Sequence, residues 1–108
     1  MNANAKVSGI LQLCLNRVIQ EMQLENLGKF SATIDNNGDI EITFFSYIFD
    51  GVVDGNGIVI AHITKDGFKL YFDADNEKLM KSNNAAMLKG KVAGIVDKFI
   101  IEVKKKIK

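Results

Sequence analysis

Residues 30–49 read FSATIDNNGDIEITFFSYIF, and this stretch sets the fold class. Phe30, Ala32 and Ile34 alternate with Ser31, Thr33 and Asp35, and alternation resumes beyond Asn36, Asn37 and Gly38. Successive strand side chains point to opposite faces, so a period of two marks a half-buried strand. Asn-Asn-Gly suits a three-residue hairpin loop with glycine in the left-handed conformation. That loop pairs Ile34 with Ile40, Ala32 with Ile42 and Phe30 with Phe44, which gathers six apolar side chains on one face.

Downstream, Phe45, Tyr47 and Phe49 occupy the other face, which begins with the water-compatible Glu41 and Thr43. A loop rich in Asp and Gly follows, and then a β-branched run from Ile58. Asp66-Gly67 reads as a two-residue turn pairing Lys65 with Phe68, Ile63 with Leu70 and Ala61 with Phe72. Pairing Phe49 with Ile58 across the longer loop sets Ile48 against Val59 and Phe44 against Ile63, completing a four-stranded antiparallel meander. In this register Phe45, Tyr47, Phe49, Ile58 and Ile60 form an apolar patch on the face opposite the main core. Contiguous exposed patches of this kind mark partner or ligand surfaces.

Outside the meander the apolar period changes to that of a helix. Val7, Ile10, Leu11, Cys14, Leu15, Val18 and Met22 recur at helical spacing, predicting a helix over about residues 4–27 with Gly28 as its left-handed stop. Leu13 and Leu24 lie off this stripe. Leu88, Val92, Ile95, Val96, Phe99, Ile100, Val103 and Ile107 predict a second helix over about residues 84–106. Beside that stripe, Ala86, Gly90 and Gly94 recur every four residues, a small-residue track that lets another backbone approach closely. The expected architecture is one α+β domain over residues 1–108, in the order α-β-β-β-β-α. The first helix is expected on the Phe30, Ile42, Phe68, Leu70 face. The second either covers the aromatic patch or leaves it to a partner.

Composition excludes several functions. Fourteen Lys and Arg against 13 Asp and Glu give a net charge of +1, too little to steer the chain toward nucleic acid or an anionic membrane. Arg17 is the only arginine, so bidentate readout of guanine is nearly unavailable and specific nucleic-acid recognition is not expected. Lys104, Lys105, Lys106 and Lys108 suit the C-terminal end of a helix dipole. Cys14 has no second cysteine to pair with, and its place on the apolar stripe is that of a small core residue. No apolar run approaches the roughly 20 residues of a spanning helix, and MNANAKVSGILQLCLNR does not read as a signal peptide. A cytoplasmic location is expected.

Chemistry-bearing patterns are weak. Asp54, Gly55, Asn56 and Gly57 resemble the middle of a calcium loop, but that alignment puts Val52 first and Ile63 twelfth, where carboxylates are required. His62 is the single histidine, and neither another His nor a nearby Cys completes a metal or nucleophile set. Asp35 and Asp39 flank a turn, while Asp73 and Asp75 end a strand, both settings being solvated. No catalytic residue, cofactor or metal is expected. The sequence points instead to a non-enzymatic protein-protein interaction module, homodimeric or docked on a target protein, acting as an accessory or inhibitory factor. Its contact residues would be Phe45, Tyr47, Phe49, Ile58, Ile60, Ala86, Gly90 and Gly94. The alternative is a carrier of a small apolar ligand in a cavity between sheet and C-terminal helix.

Overall fold

Helix α1 (Ala3–Glu21) ends two turns before the glycine expected to stop it. In the computed structural model, which describes residues 3–49, 51–53, 55, 57–70, 87–88 and 90–107, Gln23 takes φ 59°. Leu24 N–H donates to the Ile19 carbonyl at 3.0 Å and Gln23 N–H to the Gln20 carbonyl at 3.1 Å. These are the two bonds of a Schellman stop, with Leu24 turned back to be buried beside Ile19. Leu24 thus leaves the helical stripe yet enters the core, whereas Leu13 remains 69% exposed. A side chain in the left-handed region is strained, so Gln23→Gly should raise stability by about 0.5–1 kcal/mol. A urea midpoint no higher than wild type would show that the stop is held by the Leu24 contact alone.

Gly28 instead opens the first strand. The sheet comprises β1 (Gly28–Ile34), β2 (Ile40–Phe49), β3 (Val52–Val53), β4 (Ile58–Thr64) and β5 (Gly67–Leu70), followed by helix α2 (Val92–Ile107). Its order is β1-β2-β4-β5, all antiparallel, with β3 paired to the far end of β2. The fold is the expected α+β arrangement of an antiparallel sheet flanked in sequence by two helices, and the sheet is open. Helix α2 begins later than its apolar period suggested, after a turn in which Gly90 takes φ 83° and Lys91 N–H donates to the Leu88 carbonyl at 2.8 Å.

The β1–β2 hairpin has the expected register: Ile34 with Ile40, Ala32 with Ile42, Phe30 with Phe44. Asp35 Oδ1 accepts the N–H groups of Asn37 and Asp39 at 2.8 and 3.0 Å, which closes the turn. Two other registers differ. The β4–β5 turn uses Lys65 and Asp66, pairing Ile63 with Phe68 and Ala61 with Leu70. Between β2 and β4, Ile63 lies opposite Ile40 instead of Phe44, and the ladder shifts between Ile42 and Thr43, so that Ile60 has no partner between Ala61 and Val59.

That irregularity corrects the expected outer patch. A bulge places two residues of one strand against one of its neighbour and re-aims the side chain. Ile60 and Ala61 are consecutive yet both fully buried, and Ile58, opposite Phe44, packs against the core. Ile58 and Ile60 therefore belong to the inner face and not to the face of Phe45.

One core cluster joins the inner face to both helices: Leu11, Leu15 and Val18 of α1, Phe30, Ile42 and Phe44 of the sheet, and Val92, Ile95, Val96 and Phe99 of α2. Both helices lie on the same side. The Phe30 and Phe44 rings meet at 4.9 Å between centroids and 43° between planes. Phe68 and Leu70, expected beneath α1, are 45% and 37% exposed on β5, the last strand in the sheet order.

Candidate functional site

With the helices stacked on the inner face, the outer face of β1 and β2 is the surface where half-buried aromatic side chains meet polar ones. Phe45 lies opposite Lys29, and Thr43 opposite Ser31. The Phe45 ring covers Gly57, immediately before β4: a Cβ there would stand 2.8 Å from ring atoms Cδ1 and Cζ. Glycine leaves the surface uncovered and an aromatic neighbour fills the gap. Tyr47 N–H donates to the Leu27 carbonyl at 3.3 Å, tying the end of the hairpin to the segment that leaves α1.

Around the β1 edge lies a cleft of about 490 Å³, whose walls include Gln12 and Asn16 of α1, Glu25, Lys29, Phe45 and Tyr47. Gln12 holds its helix to the edge. Its Nε2 donates to the Phe30 carbonyl at 2.8 Å and to Asn16 Oδ1 at 2.8 Å, while its Oε1 accepts the Ala32 N–H at 3.0 Å. The side-chain amide thus pairs with the strand as another peptide group would, satisfying two edge groups that water or another strand would otherwise take. In the sequence Gln12 stands between Leu11 and Leu13, a polar residue in an apolar run.

The other expected contact residues are Phe49, Ala86, Gly90 and Gly94. Phe49 pairs with Val52 at the end of β2, its side chain lying outside the described atoms, and Ala86 lies outside the described residues. Gly90 is in the turn before α2 and not on a helix face. Gly94 is within α2, where a Cβ would be 3.6 Å from Met22 Cε, so it faces the residue that follows α1. The small-residue track is thereby divided.

A second cluster occupies the same outer face at the opposite end of the hairpin. The β2–β4 register sets His62 opposite Glu41, close to the β1–β2 turn. His62 Nε2 lies 3.6 Å from Asp35 Oδ2 and 3.4 Å from Asp39 Oδ2. It has no hydrogen-bond partner and essentially no exposed surface. Among the described residues these three supply ligand-type atoms within 4.8 Å of one another. Treating the two carboxylates as solvated turn residues and His62 as isolated missed the cluster, since only the long-range register unites them.

Cys14 of α1 is buried in the core, and that burial, with Glu102 second, pushes its thiol up from the ordinary value. A protonated thiol is a poor nucleophile. Together these features define a two-layer α+β domain with an open antiparallel sheet and a partly apolar outer face. No family model, curated protein or solved structure matches the chain. Among the described residues no helix is long and apolar enough to cross a membrane.

Proposed function

We propose that this chain is a non-enzymatic interaction module, an accessory or inhibitory factor, which associates with a second copy of itself through the outer face around Phe45 and Tyr47. The observation that supports this reading most is the placement of α1 and α2 in one core, opposite that face. Glu25 and Lys29 line the same cleft and are both exposed. A two-fold contact brings each residue of a patch against a symmetry-related one, so Lys29 of one copy can meet Glu25 of the other without unlike patches having to match. The net charge of +1 offers little opposition to self-association.

Light scattering of the chromatographed protein should give twice 12.0 kDa at micromolar concentration. Phe45→Glu and Tyr47→Glu should give the monomer mass with an unchanged circular dichroism spectrum, because neither residue is in the main core. Lys29→Glu should weaken the dimer at least tenfold, about 1.4 kcal/mol, and adding Glu25→Lys should restore it. A bare wild-type monomer at every concentration would refute self-association. A monomer carrying extra small-molecule mass would instead favour the ligand carrier.

A further inference from the structure

We propose that Asp35, Asp39 and His62 form a binding site for a divalent first-row transition ion, with Zn²⁺ as the representative, on the outer face between the β1–β2 turn and β4. This inference is independent of self-association and concerns the other end of the hairpin. It starts from an unmet bond. His62 Nε2 is buried and makes no hydrogen bond, while buried polar atoms in folded proteins nearly always make one. The groups nearest to it are acceptors at 3.4 and 3.6 Å. A direct charge-assisted N–H···O bond would be about 2.7–2.9 Å long. Ligand atoms held about 2.0–2.2 Å from one tetrahedral ion stand roughly 3.3–3.6 Å apart, which agrees with the observed separations.

The two carboxylates are also prepared for this role differently. Asp35 Oδ1 is occupied by the Asn37 and Asp39 N–H groups, and this leaves Oδ2 directed at the imidazole. Asp39 reaches the same nitrogen from the far side of the turn. The donor set is one imidazole and two carboxylates, whose charge balances a divalent cation. An imidazole nitrogen selects against Ca²⁺ and Mg²⁺, which take all-oxygen shells, and the lack of a thiolate selects against Cu(I). The three side chains are 25–28% exposed, so an ion can enter from solvent and retain a water in the fourth position. Glu41 and Lys69 flank His62 on the neighbouring strands and set the local charge. Bound there, an ion would link the 35–39 turn to β4, two segments distant in sequence.

The test is competition between the full chain and a chromophoric chelator for Zn²⁺, with native mass spectrometry to count ions and ¹⁵N NMR to follow the His62 ring. Wild type should take one Zn²⁺ per chain and show a shift at Nε2. His62→Gln and Asp39→Asn should each weaken binding at least about tenfold while retaining the wild-type circular dichroism spectrum. Asp35→Asn keeps an oxygen for the turn and should weaken binding similarly. If it disturbs the hairpin, the His62 and Asp39 variants and the wild-type NMR shift still decide the matter. No binding at about 1 mM Zn²⁺, affinity unchanged in His62→Gln, or equal competition by Mg²⁺ would each overturn the site.

Discussion

Gly28→Ala should destabilise the protein by about 3 kcal/mol, seen as a lower urea midpoint with an unchanged slope. Gly28 is buried at the first position of β1, opposite Ser46. A Cβ there would overlap the Phe45 carbonyl oxygen and stand 2.8 Å from Phe44 Cε1. The ring could yield by rotating, but the carbonyl belongs to the central strand, and moving it would disturb the ladder on both sides. Relief by shifting β1 would also displace Leu27, whose carbonyl accepts the Tyr47 N–H. Had Gly28 been only a helix stop, the cost would have come from backbone conformation, and its φ is not in the left-handed region. A loss below about 1 kcal/mol would mean that β1 enters the sheet at Lys29, without the close approach to β2.

Ile60→Ala should cost about 3 kcal/mol, within the roughly 2–5 kcal/mol found for truncating buried aliphatic side chains. Ile60 is 0% exposed and lies in the cluster with Phe44 and Phe99. Regular alternation would put it on the outer face beside Phe45, where truncation would lower stability by a few tenths of a kcal/mol and impair self-association instead. Urea denaturation and light scattering on the same variant separate the two outcomes. Unchanged stability with loss of the dimer would remove the bulge and return Ile60 to the outer patch. The expected result is the reverse, with dimerisation altered only through loss of the folded chain.

The contrast between the two hairpin registers shows what could be read in the residues and what could not. Asn36, Asn37 and Gly38 join β1 to β2 through a turn whose chemistry is local, and its loop length specifies every pair from Ile34 to Phe44. The β2–β4 register depends on how residues 50–57 return the chain and on a bulge at Ile60, and neither is encoded by alternation alone. That register sets His62 opposite Glu41, near Asp35 and Asp39, whereas pairing Phe44 with Ile63 would set it opposite Phe45. Phe45 and Tyr47 could be placed because they follow Phe44 in the well-defined hairpin. Gly28 shows a different ambiguity: glycine suits both a helix stop and a close strand crossing, and the left-handed position fell to Gln23. The amphipathic stripes identified both helices, although the beginning of α2 depends on a turn at Gly90 that its period does not reveal.

The amide of Gln12 also limits what larger assemblies the sheet can build. Extending a sheet indefinitely by adding chains edge to edge requires each molecule to offer one edge and receive at another. Here the central outward-facing groups of β1, the Phe30 carbonyl and the Ala32 N–H, are already engaged by a side chain from the same molecule. Repeated stacking into filaments therefore lacks one of its two docking points, and association at high concentration should stop at small closed species.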